Sequence, residues 1–219
     1  MEPQRTVFVT GGTGYLGVPL IEALLARGLP VHALVRSGSE TRLPRGAVAV
    51  VGDALDAASF ARAVPAQATV VHLVGTPRPN PSKAAEFRRV DLGSIRATAS
   101  SAERAGASHL VYLSVAHPAP AMHAYIAVRV EGEAIVAATG IPATILRPWY
   151  VLGPGHRWPA ILAPLYALLR LFAATRESAE RLGLVTRSQM ISALVDAVAN
   201  PPSTGVRIVE VPEIRRAGP

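Results

Sequence analysis

Val7-Phe8-Val9-Thr10-Gly11-Gly12-Thr13-Gly14-Tyr15-Leu16-Gly17 is the stretch whose reading decides the fold. A short β-branched and aromatic run meets three glycines at the spacing G-x-x-G-x-x-G. An apolar pattern of helical period follows at once, with Leu16, Leu20, Ile21, Leu24 and Leu25 on one face and Gly28 where a helix should stop. The next strand signal, Val31 to Val35, comes directly after it. Strand, glycine turn, helix and strand in that order are the usual setting for binding a dinucleotide pyrophosphate. Gly11 permits the tight turn, Gly14 lets the backbone approach the phosphates without a Cβ, and Gly17 lets the helix lie close to the sheet. The phosphates then meet the unpaired N–H groups of the helix start. Thr13, Tyr15 and Leu16 belong to the same turn and count with Gly11 and Gly14 as cofactor contacts.

The alternation of strand and helix continues outward from this unit. Ala47 to Val51 reads as a third strand, and Asp56 caps a helix running through Phe60 to Val64. Thr69 to Val74 is almost continuously apolar, as a parallel strand covered on both faces should be. Gly75 to Pro81 holds three prolines and must be a loop. A long helix is expected from Lys83 to Arg104, closed by Gly106, and a fifth strand from Leu110 to Ser114. The helix through Glu131, Ile135 and Val136 ends at Gly140, and Ala143 to Leu146 is the sixth strand. The whole is an α/β chain with a doubly wound parallel sheet.

Length and composition bound the function. The chain has 219 residues, half of them apolar and 17% charged, which describes a globular protein with a full core. The net charge of +7 is carried almost wholly by arginine, because Lys83 is the only lysine. The arginines are spread over helices and loops without interleaved aromatics, so nucleic-acid binding is not expected. There is no cysteine, which removes disulfides, thiolate catalysis and most zinc chemistry; no metal site is expected, and a reducing, cytoplasmic setting fits. The start, Met-Glu-Pro-Gln-Arg before a strand the fold needs, does not read as a signal peptide.

The second strand bears on cofactor choice. A site that prefers NAD places a carboxylate about 20 positions past the glycines, on the ribose hydroxyls. Here Val31 to Val35 ends in Arg36-Ser37, with no carboxylate before Glu40. A guanidinium pairs well with a 2′-phosphate and Ser37 adds a second hydrogen bond, so NADP is preferred to NAD. Asp53, after Gly52 at the end of the third strand, reads as an adenine contact or as a plain turn aspartate, with Ala54 beside it. Gly75, between Val74 and Thr76, leaves room for the cofactor in the same crevice.

Ser114, Tyr125 and Arg129 carry the question of chemistry. Tyr125 and Arg129 are four apart on a helix, so they share a face, above a strand end bearing Ser114. Taken with the glycine turn, this region resembles the extended and atypical branches of the short-chain dehydrogenase/reductase superfamily, epimerase/dehydratase-like or NmrA-like. Thr10 to Gly17 matches that branch's nucleotide motif, and Asp53 stands where its adenine-contacting aspartate stands. The resemblance covers residues 5 to 150 and implies a Rossmann fold. It also implies catalysis through Ser114 and Tyr125, with a lysine where this chain has Arg129. In the family the tyrosine gives or takes a proton at a carbonyl or alcohol, and the lysine helps it and holds the nicotinamide ribose. Arg129 supplies a ribose contact and a fixed charge but no proton relay, because it does not deprotonate. A tyrosine beside a guanidinium is expected to titrate below its free value of about 10. The plainer alternative makes Tyr125 a surface aromatic and Arg129 the partner of Glu133. His123 and His117 are spare candidates for proton transfer, and His72, inside a strand, reads as structural.

Arg147-Pro148-Trp149-Tyr150 leaves the sixth strand. By the same resemblance Pro148, Trp149 and Tyr150 border the nicotinamide, and with Trp158 they suggest an aromatic-lined substrate mouth. Residues 1–155 are assigned to the nucleotide-binding domain. Residues 156–219 form a small C-terminal lid or substrate lobe, completed by a helix and a last strand packed on the core. The apolar run Trp158 to Ala174 contains two prolines and falls short of a membrane span, and peripheral membrane contact is the less favoured reading. Thr186 and Gln189 form a capping box for an apolar helix that Pro201-Pro202 stops; Val206 to Val211 is a final strand before a basic tail. Two functions compete. One is an NADP-dependent oxidoreductase acting on a small or hydrophobic carbonyl or alcohol. The other is a non-catalytic NAD(P)H-binding redox sensor or assembly protein. A homodimer on helices 83–105 and 125–139 is expected from the resemblance.

Overall fold

The computed structural model describes residues 5–154 and 181–218. Seven parallel strands run in the order β3-β2-β1-β4-β5-β6-β9. They are β1 Val7–Thr10, β2 Val31–Val35, β3 Val48–Val51, β4 Thr69–His72, β5 His109–Leu113, β6 Ala143–Arg147 and β9 Val206–Glu210. The chain winds outward from β1 to β3, then returns past β1 to lay down β4, β5, β6 and β9. The order therefore reverses between β1 and β4, and the carboxyl ends there open the crevice in which such sheets bind ligands. A separate parallel pair joins β7 Tyr150–Leu152 to β8 Leu184–Thr186.

Alternation along the strands sorts side chains into two cores. Val7 and Val9 of β1 face one layer, packed with Leu20, Ile21 and Leu24 of helix α1 (Gly17–Leu25) and with Met190 and Leu194 of helix α5 (Arg187–Ala199). Phe8 faces the other, with Phe60, Ile95 of α3 (Gly93–Ala105) and Val128 of α4 (His123–Ala138). Phe8 stacks on Phe60 at 6.1 Å between ring centroids. Both sheet faces are covered, as an all-parallel sheet requires.

The expected elements are present, with differences of local geometry. Residues 57–63 form two 3-10 turns, Ala57–Ser59 and Ala61–Ala63, instead of an α-helix, although Asp56 does cap the first through Ala58 N–H at 2.9 Å. The long helix is broken into a short turn, α2 (Ala84–Glu86), a π-helical stretch Phe87–Leu92, and α3, closed by left-handed Gly106. The π stretch holds Asp91, fully buried. The capping box at Thr186 and Gln189 is formed in full. After β9 the basic tail folds into a last helix, α6 (Val211–Arg216), with Pro212 in its first turn, where a missing N–H costs nothing. Trp158 and the apolar run 158–174 lie outside the described residues. Among the described residues no helix is long and apolar enough to cross a membrane.

His72 ties the layers together. Its Nδ1 meets the hydroxyls of Thr10 at 2.9 Å and Thr98 at 3.0 Å, and Ser94 lies 3.3 Å from Nε2. Burial, reinforced by the charge of Arg129, pushes its pKa down to about 3, so it stays neutral and structural.

Candidate functional site

The glycine turn is built as tightly as its spacing implies. Gly11 has φ +76°, and a Cβ there would press on the backbone of Leu73, just past β4, at 2.9 Å. A Cβ on Gly17 would strike the Gly11 and Gly12 carbonyls, so this glycine lets α1 close onto the turn itself rather than onto the sheet. Gly14 is exposed, and its missing Cβ would meet nothing nearer than the Gly11 oxygen at 3.1 Å. Helix α1 has no side-chain cap and no acidic residue in its first turn. Val18 N–H donates to the Gly14 carbonyl at 3.3 Å and Pro19 has no N–H, so the room a dinucleotide pyrophosphate fits is the exposed glycine turn at Gly14, at the positive end of the α1 dipole. Tyr15 and Leu16 face a cavity on the far side, where Arg187 lies 5.5 Å from the Tyr15 ring.

On the adenosine side Arg36 and Ser37 stand exposed at the end of β2, in a turn closed by Ser39 N–H to Arg36 C=O. Asp53 is exposed, and its Oδ1 accepts the Leu55 N–H at 2.9 Å, the geometry of a turn aspartate, with Ala54 packed against the second core.

Under the opposite side, two charged groups meet. Arg129 of α4 is buried, paired with Asp91, and donates to the Leu113 carbonyl at 2.9 Å. Asp91 also accepts the N–H (3.1 Å) and hydroxyl (2.6 Å) of Thr76. A Cβ on Gly75 would collide with the Arg129 guanidinium, so the space that this glycine spares is taken by Arg129. Arg129 is therefore not the partner of Glu133. Its guanidinium carbon lies 5.1 Å over the Tyr125 ring, which meets Phe87 edge-on at 5.0 Å.

Tyr125 departs from its expected titration. Burial pushes its hydroxyl above the ordinary tyrosine value, and the opposing pull of Arg129 does not cancel this, partly because Asp91 acts against it. The site keeps a protonated tyrosine. Ser114 also departs from expectation. Its hydroxyl donates to Glu133 Oε1 at 2.5 Å, and Glu133 is gripped by Arg147, which reaches on to Glu210 at 3.0 Å. His117 stands 3.5 Å from the same Glu133 oxygen, while His123 is exposed at the start of α4 and does not line the cavity.

These groups surround a cavity of about 480 Å³. Tyr15, Ser114, Tyr125, Arg129, Trp149 and Tyr150 line it, with Pro148 behind. Trp149 and Tyr150 pack edge to face at 5.4 Å and give this cavity an aromatic wall; Trp158, expected beside them, lies outside the described residues. Among the described residues no cluster of His, Asp or Glu is arranged to hold a metal.

A sequence model of the NAD(P)H-binding family matches residues 11–157. The chain belongs to that NAD(P)H-binding family. It is similar to ceramide reductase from Caulobacter vibrioides, 28% identical over 219 residues covering 99% of this chain and 67% of that protein. It is also similar to 3-diazoavenalumate denitrifying reductase from a Streptomyces species, 33% identical over 178 residues covering 68% and 57%. The chain thus spans only part of either relative. Among solved structures, a short-chain dehydrogenase/reductase superfamily protein of Agrobacterium tumefaciens with bound NAD superposes with TM-score 0.69 at 18% identity, covering 94% of this chain and 77% of that one. Thermus thermophilus UDP-glucose 4-epimerase with NAD gives 0.68 at 21%, covering 97% and 80%. Identities this low establish the fold alone. The Rossmann fold and the resemblance to extended short-chain dehydrogenase/reductases are borne out.

Within this NAD(P)H-binding fold, several charged residues escape a reading of the sequence. Arg42 swings back from the turn after β2 to donate to the Thr13 carbonyl at 2.9 Å, bringing a guanidinium onto the glycine turn. Asp91 is the one acid on a buried side shared with Ser94, Thr98 and Ser101, and no local spacing marks it. Glu133 and Arg147 carry no local signal, because each finds its partner on another element.

Proposed function

We propose that the chain binds NADP(H) and reduces a small or hydrophobic carbonyl compound, with Tyr125 as proton donor. The observation that carries this reading is that Tyr125 and Ser114 line one aromatic-walled cavity beside the carboxyl ends of β5 and β6. The bound, reduced cofactor supplies hydride to the carbonyl carbon. Gly11, Thr13, Gly14, Tyr15 and Leu16 would hold its pyrophosphate side, Asp53 and Ala54 would border the adenine, and Val74, Gly75, Thr76 and Pro148 to Tyr150 would flank the nicotinamide side. Tyr125 gives its proton to the carbonyl oxygen, and solvent in the cavity returns it, since Arg129 does not deprotonate. Arg129 instead fixes the tyrosine ring and the local charge. Ser114 spends its own proton on Glu133, so it offers lone pairs to the cavity and holds the hydroxyl of the alcohol as it forms.

Arg36 and Ser37, exposed at the end of β2, support NADP over NAD, and Arg42 on the Thr13 carbonyl adds positive charge at the glycine turn. The names of the two relatives support a reductase, and that of ceramide reductase supports an apolar substrate. A homodimer on α3 and α4, where Val130 is 40% exposed, and a cytoplasmic setting belong to the same proposal. A second reading, a non-catalytic sensor or assembly protein, is favoured by one observation: Ser114 and Arg129 are both engaged internally.

Calorimetry with the four nicotinamide dinucleotides, followed by turnover on a carbonyl panel, tests the proposal. NADPH should bind about 10- to 100-fold more tightly than NADH, the worth of a charge-assisted hydrogen bond. Tighter NADH would overturn the cofactor assignment. Tight NADPH binding without turnover of any carbonyl leaves the second reading.

A further inference from the structure

Among the described residues the cavity lining holds one arginine without a paired carboxylate. Two arginines line it, Arg78 and Arg129. Arg129 is neutralised by Asp91. Arg78 is exposed at the rim, in the loop between β4 and α2, and among the described residues no carboxylate pairs with it. Met122, Trp149, Tyr150 and Val151 line the same cavity with apolar and aromatic surface.

Arg78 is also held in place. Its backbone has φ +49°, which a non-glycine residue rarely adopts and which costs free energy. Pro77 and Pro79 on either side restrict the chain further. Lys83 Nζ donates to the Pro77 carbonyl at 2.8 Å, and Asn80 accepts the Ser82 N–H at 3.0 Å to cap the next 3-10 turn. The loop is pinned on both sides of the arginine, so the guanidinium is presented at the cavity rim by a constrained backbone.

We propose that Arg78 is the anion-recognising residue of this cavity. The substrate is then an apolar carbonyl compound that carries a carboxylate or phosphate group away from its reacting carbon. A guanidinium fork pairs with either group through two parallel hydrogen bonds, and the aromatic wall takes the apolar body. This inference rests on the reductase reading for its carbonyl but not for its anion.

The test uses the full chain loaded with NADP. Calorimetry compares octanoate, methyl octanoate and octyl phosphate, none of which can react, for the wild type, Arg78→Ala and Arg78→Lys. The wild type should bind octanoate or octyl phosphate about 10- to 100-fold more tightly than the ester, and whichever of the two binds more tightly identifies the group. In Arg78→Ala the ratio should fall to about one. Arg78→Lys should keep part of it, and NADP affinity should stay unchanged in both variants. A ratio near one in the wild type overturns the proposal, as does a ratio that survives Arg78→Ala. Loss of NADP affinity in Arg78→Ala assigns the arginine to a cofactor phosphate and overturns it too. Turnover of an ω-oxo octanoate separates the two readings: charge-dependent binding without turnover keeps Arg78 and removes the reductase.

Discussion

Two ion clusters lie beneath the same cavity and are built differently. Under Tyr125, Asp91 and Arg129 pair one to one, with side chains 0% and 5% exposed. Under Ser114, Arg147 stands between two carboxylates, Glu133 and Glu210, and the cluster opens outward until Glu210 is 33% exposed. The first is closed and neutral, so burial decides the state of Tyr125. The second carries one more acid than base, not counting His117 at its edge, and draws the Ser114 proton inward. Two neighbouring hydroxyls thus receive opposite roles: Tyr125 keeps a proton to give, and Ser114 turns its own away.

The difference is sharpest in stability. Asp91→Ala strands a buried guanidinium, and the cost expected is about 3–5 kcal/mol, read as a fall in the urea midpoint. Glu133→Gln should cost less, about 1–2 kcal/mol, because Arg147 keeps Glu210 and the amide still accepts from Ser114. Equal losses would mean that the second cluster is as closed as the first. An undiminished midpoint in Asp91→Ala would mean that water reaches Arg129.

The two clusters also separate what sequence reveals from what it conceals. The glycine turn, its strand and its helix are contiguous, so residues 7–17 announce them. The alternation of Val7, Phe8 and Val9 between two cores and the capping box at Thr186 are equally local. The clusters join residues far apart in the chain: Asp91 and Arg129 are separated by 38 positions, Arg147 and Glu210 by 63. No spacing rule pairs them. Glu133 stands four residues from Arg129 on one helix, which makes the wrong partner look natural. The titration of Tyr125 fails to follow from sequence because burial, which no spacing shows, outweighs the guanidinium beside it, with distant Asp91 adding to the same direction. The π-helical stretch is hidden too, since the composition of Phe87–Leu92 suits an ordinary helix.

The central claim is that a protonated Tyr125 gives the proton in carbonyl reduction. It is tested most directly by steady-state NADPH oxidation, over a range of pH, for the wild type and Tyr125→Phe with the best substrate of a carbonyl panel. Tyr125→Phe should lower kcat by roughly 10²–10⁴-fold while NADPH affinity stays near that of the wild type. Because the folded pKa is raised above about 10, the wild-type rate should hold through mildly alkaline pH and fall only as pH rises past that value. A wild-type rate that falls well below pH 10, or a Tyr125→Phe variant that turns over as fast as the wild type, would contradict the account.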